Sequence, residues 1–539
     1  MKKFTRLLAF VMTACILLTL LAGCGGSGDD WITEESYVQV SGDGDGNASG
    51  SDGSSKSTTV VKKKKKSDSS SSTSSTANNN NYNRPKTQPK SDGITTEISG
   101  KDPNANYNVS GHITVAVNTN RPTDYEALFD SFQTVYKKVD LEIQYFADKD
   151  ISTDYVLKQA SIGKLPDVIF DDAGVIPTVV AQGLVKPVDD YIKNDPDIKY
   201  VSSSILNSYK YNGKTYALPN NIHFQAVMIK KDIVKELNLK MPSLSWTVDD
   251  FTAFLKAGTT DKYSGCEMLF GNNTIASQLC PIYDKNVTLY GYNASSNSFN
   301  LSSMTRGLQL MADLRKYPGL EAFALRMSGI DKYIAKFGSS NTSDTRMALK
   351  LGKTLCELDS GTWEDPNLGN FKFDKVLWPY PQSEAGRMPI HVDCSYMTTA
   401  TKNPDAAFQL LRFVTYSTEG NLARLAMYDS ANKDKYVLAS HFYFPVTSHP
   451  DVKAKFNSLK VAEQYQYMYD NIDKCYRADP KKYVPGFGET IQTAISEWDK
   501  VTDGQADATT VNSTMQGKLN TAIKNYRKDF DEKLAKNSK

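Results

Sequence analysis

The side chains equipped for chemistry gather at a few places in the chain. Asp171 and Asp172 end a run, Val168 to Phe170, with the length and composition of a buried strand. Adjacent carboxylates there can grip two neighbouring hydroxyls, or Asp172 can cap the helix that starts near Gly174. Asn220, Asn221, His223 and Gln225 form a polar knot between two apolar runs. His391, Asp393 and Cys394 stand close together, too near in sequence to be taken as a nucleophile and its base. Asp171, Asp172, Glu364 and Glu489 can be combined on paper into a glycosidase pair. Against an enzyme, the chain has no Gly-x-Ser-x-Gly elbow, no His-Glu-x-x-His helix and no metal-ligand cluster. Asp43, Asp45 and Asn47 imitate the start of a calcium loop, but Ala48 stands where the turn needs Gly and no Glu closes it. No catalytic residue, metal or cofactor is expected.

The elements that position these groups begin with the stretch Tyr209 to Asp232. Tyr211 to Lys214 (YNGK) reads as a tight turn, because Asn and Gly accept positive φ cheaply, and Thr215 to Leu218 follows as a short strand that Pro219 should stop. Ala226 to Ile229 then reads as a second, buried strand. Two strands are thus separated by a bridge: either the chain passes from one lobe to another, with the polar side chains facing the gap, or the knot is an ordinary wet loop. Upstream, His112 to Val117 alternates like an opening strand, Thr123 can cap a helix over Asp124 to Tyr136, Leu141 to Phe146 is a second strand, and a helix follows near Asp154 to Ile162. Strands alternating with helices imply a parallel-type sheet covered on both faces.

The amino terminus sets the expected compartment. Lys2, Lys3 and Arg6 precede an apolar run from Leu7 to Leu21, the pattern of a secretory signal and too short to span a bilayer comfortably. Residues 25 to about 107 are Ser, Gly, Asn, Asp and Thr with almost no apolar content, which predicts a flexible tether with a root-mean-square reach on the order of 50 Å. Within it, Lys62 to Lys66 form a cationic run that can be solvated or can meet an anionic surface.

About 430 residues remain, too many for one core and suited to two lobes. The 63 Lys and Arg against 61 Asp and Glu argue against a nucleic-acid footprint. Cys266, Cys280, Cys356, Cys394 and Cys475 are an odd set without Cys-x-x-Cys spacing, so neither a disulfide framework nor a zinc ribbon is expected, and at most a bridge between Cys266 and Cys280 is considered.

The order of segments resembles the extracellular solute-binding protein family that serves ABC importers, especially its sugar-binding branch. The matching pieces are PDVIFDD (Pro166 to Asp172), GLVKPVDDYI (Gly183 to Ile192), YNGKTYALP with its passage into VMIKKD (Tyr211 to Asp232) and MPSLSWTVDDF (Met241 to Phe251). They continue through GKTLCELDSGTW (Gly352 to Trp363), FDKVLWPYP (Phe373 to Pro381) and NPDAAFQLLRFVTYSTEGN (Asn403 to Asn421). Leu21-Ala22-Gly23-Cys24 resembles the lipobox of bacterial lipoproteins. That likeness implies removal of residues 1–23, acylation of Cys24, a tether over 24–107 and a solute-binding domain over 108–539, held on the outer face of the cell membrane.

The resemblance implies an α/β fold of two lobes joined by crossover strands around a cleft. One lobe would take about 111–220 and 391–427, the other about 226–388 and 428–539. It implies a monomeric receptor that takes a small solute, mono- or oligosaccharide, and delivers it to an ABC permease. A sugar site wants carboxylates, amides and aromatic faces. The implied contacts are Trp363, after Ser360-Gly361-Thr362, then Asp171 and Asp172, His223 and Gln225 in the bridge, His391 and Asp393 at the re-entry into the first lobe, and Phe487 as a second aromatic wall. Trp246 and Trp378 are assigned to core. A secreted glycan hydrolase, or an adhesion or sensing domain without a permease, are the rival readings.

Overall fold

The computed structural model describes residues 92–118, 122–146, 152–172, 174–267, 273–322, 325, 330–338, 347–361, 374–382, 387–429 and 443–537. Thirteen strands are present among them: β1 (Gly111–Asn118), β2 (Val139–Phe146), β3 (Val168–Asp172), β4 (Lys210–Tyr211), β5 (Lys214–Thr215), β6 (Leu218–Lys230), β7 (Ser264–Glu267), β8 (Tyr292–Asn293), β9 (Ser298–Phe299), β10 (Thr354–Gly361), β11 (Lys375–Pro379), β12 (Pro389–Met397) and β13 (Tyr476–Arg477). Nine of them make one sheet in the order β2-β1-β3-β12-β6-β10-β7, with β11 also on β6 and β13 on β12.

Strand direction defines two lobes. β1, β2 and β3 are parallel, β12 is antiparallel to both β3 and β6, and so β6 runs the same way as β3. β10 and β11 are antiparallel to β6, and β7 is parallel to β10. The first half of β6 pairs with β12 from Leu218 to Phe224, and the second half pairs with β10 and β11 from Gln225 to Lys230. The carboxyl ends of β1, β2 and β3 therefore aim toward the second lobe, and those of β7 and β10 aim back at the first.

β6 is continuous through Pro219, where the sequence predicted a stop. Proline lacks the N–H for a regular ladder and is tolerated at bulges. The register moves from Asp393 opposite Asn221 to Cys394 opposite Pro219, which leaves Asn220 as the extra residue of such a bulge. The expected turn before it is present, with Asn212 at φ 47° and Gly213 at φ 79° between β4 and β5. The helix after β1 starts at Pro122, so Thr123 lies inside it rather than capping it.

Each lobe has its apolar packing. Ile113, Val115, Ile143, Phe129, Phe132 and Phe170 fill one side of the first-lobe sheet. Trp246, Phe251, Leu279, Met304, Leu355 and Trp498 are buried in the second lobe. Thr247 and Asp250 form a capping box that starts the helix Val248–Ala257, and the Trp246 indole donates to the Pro379 carbonyl at 2.7 Å. Residues 443–475, grouped with the second lobe in the sequence reading, pack on the first: Phe444 bridges to Ile222 and Thr447 to Val201. Residues 92–107 are likewise not free tether. The Ile94 amide donates to Ser131 Oγ at 2.7 Å, and buried Arg412 ion-pairs with Asp102 (2.7 Å), Asp195 (2.6 Å) and Asp197 (2.7 Å). All five described cysteines are free and buried, so the considered bridge between Cys266 and Cys280 is not formed.

Candidate ligand site at the lobe junction

The alternation of β6 builds the site. Ile222, Phe224, Ala226 and Met228 share one face and lie in one cluster, which runs from the first lobe past the crossover to Leu377. The other face carries Asn221, His223 and Gln225 at the crossover, then Val227 and Ile229 inside the second lobe. Strand neighbours bring further polar groups alongside. His391 is opposite His223 and Asp393 opposite Asn221, so these four side chains share a face.

Four of the sequence-selected residues meet here. The His223 Nε2–H donates to Asp393 Oδ2 at 3.2 Å, and the His391 Nε2–H donates to Gln225 Oε1 at 2.9 Å. Gln225 in turn donates to the Leu358 carbonyl at 3.3 Å, on the β10 side of the crossover. The second oxygen of Asp393 receives Lys482 Nζ at 2.6 Å. Asp479 takes the fork of Arg477 through two 2.8 Å bonds and accepts from the Val392 amide at 3.0 Å. Two acids and two bases thus neutralise one another and tie β6, β12 and the segment 476–483 together.

The electrostatics follow from that pairing. Burial opposes charge on Asp393, but Lys482 and His223 outweigh it and hold the carboxyl well below its usual range. Burial likewise opposes the charge of Lys482, and Asp393 and Asp479 raise its pKa in spite of it. His391 is mostly buried, and burial lowers its pKa to about 4 in spite of Asp479 and Asp393 nearby, so it is neutral at physiological pH. With Nε2 donating to Gln225, its Nδ1 is a hydrogen-bond acceptor.

Register places the remaining candidates at different heights along the strands. Asp172 is opposite Cys394 on β12, and Gly361 is opposite Gln225 on β6. Cys394 is itself opposite Pro219, six residues before Gln225, so Asp172 and Gly361 are offset by about 20 Å along β6 as well as by three strand spacings. The side chains of Asp171 and Asp172, and Trp363 two residues beyond Gly361, lie outside the described residues. Phe487 is elsewhere: it is 3% exposed, its ring 5.4 Å from Tyr292 and 5.9 Å from Phe299, in the core of the second lobe rather than on a wall. Trp246 and Trp378 are buried as assigned. The sequence reading missed Lys482, Asp479 and Arg477, although the run Arg477-Ala478-Asp479-Pro480-Lys481-Lys482 carried a signal, dense alternating charge next to Tyr476 and Tyr483. Among the described residues no group of three or more His, Cys, Asp or Glu could hold a metal ion, and no helix is long and apolar enough to cross a membrane.

Two α/β lobes sharing crossover strands, with parallel strand ends facing each other over a polar junction, define a two-lobe binding protein. A family model for bacterial extracellular solute-binding proteins matches residues 127–432, more than half of the chain, and the protein belongs to that family. Solved structures share the fold at low identity. A sugar transporter from Rhizobium etli in an open conformation has 16% identity and a TM-score of 0.57, covering 77% of this chain and 99% of its own. The cyclic alpha-maltosyl-1,6-maltose binding protein of Arthrobacter globiformis has 14% identity, a TM-score of 0.55, and covers 77% and 100%. The GacH receptor of Streptomyces glaucescens, solved unliganded and with acarbose, has 15% identity and a TM-score of 0.55, covering 78% and 100%.

Proposed function

We propose that this solute-binding protein is the receptor of an ABC importer, anchored through lipid on Cys24 outside the membrane, and that it captures a mono- or oligosaccharide by closing its lobes. The carrying observation is the polar face at the junction, where His223 meets Asp393 and His391 meets Gln225. Carboxylate, imidazole and amide groups suit hydroxyls, and an indole beyond Gly361 would cover an apolar sugar face. The sugars named for the Arthrobacter and Streptomyces proteins support the same class. Their hinge-type fold supports ligand capture by population shift, with the permease reading the closed form.

Isothermal titration of residues 25–539 against sugars, amino acids and oligopeptides tests the reading. A sugar is expected to bind with Kd of about 1 μM or below, and Trp363→Ala to weaken it at least about tenfold. Heat from amino acids or peptides alone would remove carbohydrate from the proposal, and turnover of a glycan would replace binding by hydrolysis.

A further inference from the structure

The last helix, Ala508–Asn537, has 30 residues and is therefore about 45 Å long. Its first half belongs to the second lobe. Asn512 accepts from the Trp498 indole at 2.7 Å and donates to Thr305 at 2.8 Å, Gln516 accepts from the Leu301 amide at 2.9 Å, and Asn520 accepts from the Phe299 amide at 2.6 Å. Its second half leaves that lobe. Tyr526 packs so closely on Gly486 that a Cβ there would sit 2.1 Å from its ring. Phe530 then stacks edge-on against Tyr211 with centroids 5.1 Å apart, Leu534 is buried, and Asn537 donates to the Ala181 carbonyl at 2.7 Å. Tyr211 and Ala181 belong to the first lobe, and Tyr211 is itself tied to the crossover by its hydroxyl, which donates to the Tyr483 carbonyl at 2.8 Å.

One rigid rod is thus fastened to both bodies that the hinge joins. When the lobes rotate, the two halves cannot both keep their partners, because an uninterrupted helix does not bend sharply without a proline or bulge, and residues 508–537 contain no proline. We propose that the helix is an interlobe strap: residues 526–537 hold the lobes in the arrangement seen here, and the hinge moves only as Phe530 and Asn537 leave Tyr211 and Ala181. The strap sets the ratio of lobe arrangements before any solute arrives, and so sets part of the receptor's affinity. The inference rests on the hinge motion of the proposed function but not on the solute's identity.

The test therefore uses no ligand. Spin labels at Lys138→Cys in the first lobe and Lys240→Cys in the second, both exposed positions, report the interlobe distance while the described native thiols stay buried. Measured on residues 25–539, the distance distribution is expected to be narrow. The double substitution Phe530→Ala with Asn537→Ala should shift the ratio of lobe arrangements at least fivefold, and a stop after Lys524 should shift it further. Hydrogen exchange over 526–537 shows whether that half has been released, and far-ultraviolet dichroism shows that each variant is folded. A folded variant with a released strap and an unchanged distance distribution overturns the proposal. A shifted distribution alongside failure of every sugar to bind keeps the strap and removes the carbohydrate assignment alone.

Discussion

His391 is the residue whose state is fixed most sharply by its surroundings. Burial lowers its pKa from 6.5 to about 4. A histidine with a depressed folded pKa contributes stability that is present above 6.5 and is lost as pH falls through the window down to about 4, because the unfolded chain binds the proton first. Between pH 7 and pH 5 this amounts to about 2 kcal/mol. Glu267, which burial holds up to about 8, acts in the opposite sense over this range, so the loss is read as the difference in urea unfolding at the two pH values between the unaltered protein and His391→Gln, which keeps a neutral polar group. An identical slope in the variant would place the acid sensitivity elsewhere. His223 and Gln225 stood out in the polar bridge, and His391 and Asp393 at the re-entry into the first lobe that the resemblance implied. What the sequence did not display is the pairing, His223 with Asp393 and His391 with Gln225. Which residues two apart share a partner depends on strand register, and register was invisible in one strand alone. Phe487 was carried over from the resemblance as a second aromatic wall, but it is core, and Gly486 before it, at φ 69°, serves the left-handed helix entry and the close approach of Tyr526.

At the scale of elements, β6 and the docked segment 92–107 show what composition does and does not carry. The two apolar runs around Asn220 to Gln225 were readable as strands, while the polar residues between them were left as either an interlobe bridge or a wet loop. Their fusion into one strand was not readable, because a bulge is paid for by the partner strand β12, more than 160 residues later. Residues 92–107 looked like tether because little in them is apolar. Their hold comes from charge: Asp102 reaches Arg412, 310 positions away, and Tyr107 donates to Glu419 at 2.8 Å. Removing one partner of a buried ion pair leaves the others uncompensated and typically costs about 3–5 kcal/mol. Arg412→Met strands Asp102, Asp195 and Asp197 together, so it should cost at least that much in denaturant unfolding. Asp102→Asn, which leaves two pairs of Arg412 intact, should cost less and act locally, opening residues 92–107 to protease while the charge cluster at the junction stays formed. If those residues stay resistant in the Asp102 variant, the apolar anchor at Ile94 holds the segment and the ion pair is secondary.

Among the described residues the two lobes are held together by repeated passages of the chain. The backbone passes between lobes along β6, returns through β12, and leaves again through 476–483, and these passages are locked by Asp393, Lys482, Asp479 and Arg477. The terminal helix then spans both again. Two-lobe proteins often unfold lobe by lobe, since each lobe has its own core. Here neither core can be vacated alone without stripping half of β6 from its ladder and opening a buried charge cluster, a cost of several kcal/mol for the unpaired ions by themselves. The lobes should therefore unfold together. The described tryptophans, Trp246, Trp378 and Trp498, all lie in the second lobe and report its loss by fluorescence, while hydrogen exchange of the β1 and β2 amides reports the first. In a urea series the two probes are expected to give one midpoint, and Lys482→Met, which leaves Asp393 and Asp479 short of a cation, should lower both together. Two separate midpoints in the unaltered protein would mean that the crossovers act as loose hinges, and the charge cluster would then serve the ligand rather than the joint.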